Sequence, residues 1–412
     1  MKTMFNFRRR HHLARINAFL IAVALIAGMV GCGGGGVDYD LTIISTAGGL
    51  VFNPGEGKYT YDEAEVVNLV AEAEEGYKFV NWTGDVGTIA DVEDATTTIT
   101  MNGDYDITAN FEEGVTFADP NLEAAVREAI AIAEGSIYQS DLDGLTSLCA
   151  SERNIADLTG LEYCTSLTEL DLSRNDISDI SPLASLLNLT YLSLRGNSIS
   201  DICFLADISP LANLTSLQQL YLGYNHISDI SPLANLTALT MLSLEGNSIF
   251  FDTSPLADIS PLANLTSLQQ LYLGFNKISD ISPLANLTKL TELFLGDNQI
   301  SDISPLANLT KLIYLWLDSN QISDIWPVAN LTSLQRLWSG GNQISDISPV
   351  ANLTSLEWLL LGYNQISDVS PLVENEGLGE GDWVSLTDNP LSDDSINIYV
   401  PELEARGVTV GY

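Results

Sequence analysis

The chain has 412 residues, enough for two or three domains, and 46% of them are hydrophobic, which excludes wholesale disorder. Sixteen basic residues stand against 54 acidic ones, and the net charge of −38 repels phosphate backbones and anionic headgroups, arguing against nucleic acid as a partner. Cys32, Cys149, Cys164 and Cys203 are too few and too irregularly spaced for a disulfide framework, and beyond residue 12 the only histidine is His226. A Ser-His-Asp triad or a histidine-built zinc site would have that one residue to draw on, so neither is expected.

Five of the basic residues (Lys2, Arg8, Arg9, Arg10 and Arg15) precede Cys32 and no acidic residue does, so the chain beyond them carries −43. An apolar run over residues 16–30 follows, of signal-peptide length and short for a bilayer span. It ends in Met29-Val30-Gly31-Cys32, then four glycines. This resembles the bacterial lipoprotein signal, with Met29 where that pattern prefers leucine. The resemblance implies cleavage before Cys32, a diacylglycerol on its sulfur and export to the cell envelope with the domains facing outside. Residues 1–32 are assigned to this leader and 33–37 to a glycine-rich tether. The last dozen residues carry no sorting motif or apolar tail, so the expected anchor is N-terminal.

Residues 38–113 alternate in short segments, 41–44, 66–70, 77–80, 97–101 and 106–111, separated by Gly, Asn, Pro and Asp. That pattern predicts a small unit of antiparallel strands. The stretch Gly76-Tyr77-Lys78-Phe79-Val80-Asn81-Trp82-Thr83-Gly84-Asp85, with Ile107-Thr108-Ala109-Asn110-Phe111, resembles the divergent B-repeat domain of internalins. The resemblance implies a surface spacer, and Trp82 reads as a core residue.

Residues 114–144 contain Asp119-Pro120-Asn121-Leu122, which opens an amphipathic helix with apolar residues at 122, 125, 126, 129 and 130. From 145 to 391 the sequence repeats itself. Units of the form L-x-x-L-x-L-x-x-N-x-I begin at Leu145, Leu167, Leu189, Leu217, Leu239, Leu268, Leu290, Leu312, Leu334 and Leu356, with a degenerate eleventh near Gly381. The period is 22, except for 28 from Leu189 and 29 from Leu239; residues 205–225 and 256–276 are nearly identical, so a two-repeat block was duplicated whole. The predicted fold is a mainly β solenoid, a leucine-rich-repeat horseshoe with a parallel β concave face and 3₁₀-like convex turns. The fourth and sixth residues of each unit point inward from a short strand. A stacked asparagine (Asn175, Asn197, Asn225, Asn247, Asn276, Asn298, Asn320, Asn342, Asn364) serves the backbone groups that the turn buries. Ser, Asp and Pro, as in Ile227-Ser228-Asp229-Ile230-Ser231-Pro232, cap and start the convex turns.

The repeats resemble the internalin type, and Phe117-Ala118-Asp119-Pro120-Asn121-Leu122 resembles the internalin N-terminal cap. The resemblance implies a binding protein rather than an enzyme. Residues 392–412 are expected to close the other end. Arg153, in place of the first asparagine, and Ser339, in place of a core leucine, suggest weak spots.

Recurrent Asn-Leu-Thr triplets match the glycosylation sequon only because the repeat recurs. One aspartate per coil (Asp229, Asp280, Asp302, Asp324, Asp346, Asp368) cannot gather the six to eight oxygens calcium takes, so no metal or other cofactor is expected. Cys149 and Cys164 fall on opposite sides of the first coil and are expected as free thiols.

Third, fifth and seventh residues of each unit face outward from the inner sheet. The fifth column runs Cys149, Asp171, Ser193, Tyr221, Ser243, Tyr272, Phe294, Trp316, Trp338, Leu360; the third adds Tyr191, Tyr314, Arg336, Trp358 and Trp383, and the eighth Tyr224, Phe275 and Tyr363. Nothing in the fold demands aromatics there, since Ser193 and Ser243 hold the same column. A continuous stacked ladder from Tyr272 to Trp338 is expected to anchor a protein or glycan ligand, as exposed aromatic stripes do. The competing reading is an envelope spacer or self-associating protein in which the rings only stabilise the sheet.

Overall fold

The computed structural model describes residues 36–200, 208–247 and 256–412. The leader with Cys32, most of the glycine tether, Cys203 and the extra residues of the two long repeats lie outside these ranges.

The chain begins with seven strands: β1 (Asp38–Ser45), β2 (Gly49–Asn53), β3 (Gly57–Asp62), β4 (Val66–Ala73), β5 (Tyr77–Gly84), β6 (Thr96–Thr100) and β7 (Tyr105–Val115). One sheet runs β3-β1-β7-β5 and the other β2-β4-β6. Alternation turns one face of each strand inward, so Leu41, Ile43, Val67, Leu69, Ile99 and Ile107 form a common core with Trp82. Trp82 is 1% exposed, and its Nε1 donates to the Asp94 carbonyl at 3.1 Å. The expectation of purely antiparallel strands is corrected at one place: β1 and β7 pair in parallel, Leu41 opposite Tyr105. Period-two patterning fixes which face a residue occupies and says nothing about strand direction.

Strand β7 continues past the β unit and pairs with β8 (Ile137–Tyr138), Gly114 opposite Tyr138. At this joint Glu112 accepts from the Ser140 amide at 3.2 Å and from its hydroxyl at 2.6 Å, while Lys78 lies 3.7 Å from the same carboxylate. Between β7 and β8 runs helix α1 (Pro120–Ile130), which buries Leu122, Ala125 and Val126. Its apolar stripe is narrower than expected, since Ala129 is exposed and Ile130 half-buried. A short second helix, α2 (Gln139–Leu142), leads into the first coil.

The solenoid builds one parallel sheet of twelve strands. These are β9 (Ser147–Cys149), β10 (Glu169–Asp171), β11 (Tyr191–Ser193), β12 (Gln219–Tyr221), β13 (Met241–Ser243), β14 (Gln270–Tyr272), β15 (Glu292–Phe294), β16 (Tyr314–Trp316), β17 (Arg336–Trp338), β18 (Trp358–Leu360), β19 (Trp383–Ser385) and β20 (Thr409–Gly411). The last exceeds the eleven sequence repeats: after helices α3 (Ser370–Glu374) and α4 (Val400–Ala405), the tail adds one more strand to the open edge. The fourth- and sixth-position leucines are buried, as in Leu293 and Leu295.

The asparagine column satisfies the turn as its chemistry demands. Asn298 Nδ2 donates to the Leu273 and Leu295 carbonyls, each at 3.0 Å, and its Oδ1 accepts from Ile278 N–H at 3.0 Å. One amide thus ties two coils together, and the same pattern extends to Asn389. On the convex side Asp280 accepts from Ser282 N–H at 2.8 Å, opening the 3₁₀ turn Ser282–Asn286 with Pro283 in its first positions. The first coil departs from this pattern. Arg153 is 2.7 Å from Glu128 of α1, and the cap's Asp119 reaches the Ala156 and Asp157 amides at 2.8 and 3.4 Å.

Candidate binding face

Parallel pairing in register places equivalent residues of successive coils side by side, so each sequence column becomes a physical row about 4.8 Å per step. The fifth column is continuous from Cys149 through Asp171, Ser193, Tyr221, Ser243, Tyr272, Phe294, Trp316, Trp338 and Leu360 to Ser385. Its rings touch in sequence, but the uniform stack expected of them is corrected. Phe294 and Trp316 stack at 3.4 Å and 18°, Tyr272 and Phe294 tilt by 31° at 4.5 Å, and Trp316 meets Trp338 edge-on at 5.0 Å and 84°. Edge-to-face contact suits the ring quadrupoles. All four are half-buried, each keeping part of its surface open to solvent.

The third column forms a second row beside the first. Arg336 lies between two rings, its guanidinium carbon 5.1 Å from the Tyr314 centroid and 5.3 Å from that of Trp358, and Trp358 meets Trp383 edge-on at 5.3 Å. Further up the row, Tyr191 packs on Tyr221 at 5.5 Å. The eighth-position residues Tyr224, Phe275 and Tyr363 do not sit on the strands. They occupy the turn beyond them with φ of 56°, 59° and 57°, the left-handed region where Gly196, Gly246 and Gly341 fill the same position in other coils. Bulky side chains are disfavoured there by roughly 1–2 kcal/mol, and Tyr363 is nevertheless 65% exposed. These three form a rim rather than a part of the face.

Several features of the face escaped the sequence reading. Arg195 and Glu245 form an ion pair across an intervening coil. Gly223 makes room for it: a Cβ at that position would sit 2.9 Å from Glu245 Cγ. The Arg195 guanidinium also lies 4.6 Å from the Tyr224 ring centroid. Two coils on, the Tyr272 hydroxyl donates to Glu292 at 2.8 Å and Gln270 donates to the other oxygen at 3.0 Å. Burial first, then the neighbouring Glu292 carboxylate, push the Tyr272 phenol well above its ordinary range. Burial likewise raises the Asp318 carboxyl beside the ladder. Seventh-position glycines were legible in the sequence, but a partner two coils away was not.

Among the described residues no group of three or more His, Cys, Asp or Glu is placed to hold a metal ion. Cys149 is exposed and Cys164 buried, both as free thiols, and burial drives the Cys164 thiol up to about 12.

Comparisons with known proteins agree with this architecture. The family profile of the divergent InlB B-repeat domain matches residues 39–115. That of the paired leucine-rich repeats matches 165–213, 187–235, 215–256, 237–286 and 288–333. An internalin of Listeria monocytogenes, InlF, is 36% identical, over 72% of this chain and 95% of its own, with a TM-score of 0.51. Internalin C2 of the same species is 42% identical over 53% of this chain and 92% of its own, with a TM-score of 0.48. A leucine-rich-repeat protein of Leptospira interrogans shares the fold at 22% identity, with coverage of 66% and 73% and a TM-score of 0.57. No curated protein matches. With a B-repeat unit, capped internalin-type repeats and an internalin covered almost end to end, the chain belongs to the internalin family, whose members are surface-exposed, non-enzymatic binding proteins.

Proposed function

We propose that this chain is a cell-surface adhesion protein that holds a protein ligand on the concave face of its solenoid, with Tyr272, Phe294, Trp316 and Trp338 as the central row and Tyr314, Arg336, Trp358 and Trp383 as the flanking one. The carrying observation is that half-exposed rings fill positions where Ser193, Ser243 and Ser385 serve the same strand register. Large aromatics that the fold does not require, gathered on one concave surface, are the composition of interface anchors. The lipid on Cys32 belongs to the same proposal and would hold the face outward from the envelope.

The ring-to-ring contacts favour one rival, a spacer in which the rows merely stiffen the sheet. The Trp316→Ser, Trp338→Ser double variant separates the two. A panel of extracellular proteins and a glycan array identify a ligand for the parent chain, and affinity and melting are then measured on both. As anchors, the two tryptophans should account for about 4 kcal/mol of binding at about 2 each, with a smaller loss of stability. As sheet packing they should contribute roughly 0.2–1 kcal/mol per pair to stability and nothing to affinity. Loss of stability with full affinity rejects the binding face, and a ligand found only among glycans replaces the protein partner.

A further inference from the structure

Ser243 interrupts the fifth column between Tyr221 and Tyr272. With one coil on either side, their two strands stand roughly 9.6 Å apart, and the absent side chain leaves a notch of about 270 Å³. Its walls are Tyr221, Tyr272 and Phe294, Met241 closes one side, and the Arg195–Glu245 pair closes the other. Ser243 itself is 3% exposed, and its hydroxyl has no hydrogen-bond partner.

The same molecule shows what such a gap accepts. In the third column, at the same two-coil separation, Tyr314 and Trp358 flank the Arg336 guanidinium at 5.1 and 5.3 Å. A planar cation is there the middle rung between two rings. The notch presents the two outer rungs with the middle one missing. Its surroundings also favour a cation. Arg195 compensates Glu245 in the notch itself, while one coil beyond the Tyr272 wall Glu292 is held by a phenol and an amide and by no cation among the described residues. The chain as a whole carries −38.

We infer that the notch between Tyr221 and Tyr272 receives an arginine side chain of the protein partner, which completes the ring–cation–ring row that Arg336 makes internally. This rests on the concave-face reading and narrows it to a partner with a protruding, basic contact residue. Guanidinium suits the slot better than ammonium, being flat, weakly hydrated and able to donate sideways to Glu245 while its faces meet the rings.

Methionine methyls provide the test, because Met241 lines the notch and Met101 lies fully buried in the β unit as an internal reference. The full chain, labelled with ¹³C at its methionine methyls, is titrated with N-acetyl-arginine amide and, separately, with its neutral isostere N-acetyl-citrulline amide. The arginine probe should move the Met241 signal saturably and leave Met101 in place, and citrulline should move neither signal. Tyr272→Leu and Tyr221→Leu should each weaken the probe roughly five- to tenfold. Ser243→Tyr, which restores a residue type the column already holds in neighbouring coils, should abolish the shift. An immobile Met241 signal overturns the inference, as does equal response to citrulline or an undiminished response in both leucine variants. The partner assay on the Trp316, Trp338 double variant reads coils outside the notch wall. An inert notch with tryptophan-dependent ligand binding therefore rejects only the arginine subsite. A working notch with tryptophan-independent binding rejects only the central row.

Discussion

Side chains that serve the backbone decide this fold at the level of single residues. Each ladder asparagine satisfies groups that would otherwise be buried unpaired, which costs about 1–3 kcal/mol apiece. Position 339 is the opposite case. Ser339 is fully buried where other coils carry leucine, and its hydroxyl finds no partner. Ser339→Leu should therefore raise stability by about 1–3 kcal/mol, combining apolar burial with removal of an orphan hydroxyl. Urea unfolding checks it, and a neutral or destabilising result would mean that the coil has closed over the smaller residue. This position was legible from the sequence because the 22-residue register names an inward site without reference to anything distant. Arg153 was not: the register marks a missing asparagine, while the compensating Glu128 lies on a helix whose docking the register does not encode.

At the scale of elements, strands and turns were readable wherever local chemistry repeats, and the junctions were not. The parallel pairing of β1 with β7 and the β7–β8 joint both unite segments far apart in sequence. Asp119 is the most consequential junction residue. Its side chain caps α1 through the Asn121 and Leu122 amides and reaches across to Ala156 and Asp157 in the first coil. Burial alone would raise this carboxyl, yet the four amide donors hold it below its ordinary value. A depressed folded-state pKa means stability that is fully present above the unfolded value of about 3.9 and lost as pH falls through the folded one. Asp119→Asn should cost about 2–3 kcal/mol near neutrality, since charge-assisted bonds are replaced and an NH₂ faces backbone donors. It should also flatten the acid limb of the stability profile below pH about 4. A variant that matches the parent at pH 7, or keeps its acid sensitivity, would remove Asp119 from this role.

At the scale of the whole molecule, the proposed reading orders three tasks along one chain: attachment, extension and recognition. Of these, the recognition face was legible as columns because parallel register converts sequence period into position. The notch at Ser243 was not, because its walls and the Arg195–Glu245 pair involve residues one to two coils apart whose side-chain directions the period leaves open. Attachment is proposed from sequence alone, on Met29-Val30-Gly31-Cys32 behind a basic and apolar leader. One acyl chain gives only marginal, reversible membrane binding, and stable anchoring takes two signals, so the proposed diacyl thioether on Cys32 would suffice where a single chain would not. Among the described residues no helix is long and apolar enough to cross a membrane. Nor does charge help, since the chain beyond the leader is too acidic to adhere to anionic headgroups. Cys32→Ala should therefore abolish labelling by a radioactive or clickable fatty acid and reduce the protein in the washed membrane fraction, while thermal melting of the solenoid is unchanged. Melting is the necessary control, because a folding defect would also deplete the membrane fraction. Retained lipid label in the variant would place the anchor elsewhere. Lost label with undiminished membrane association would show that the chain is held by a partner rather than by its own lipid.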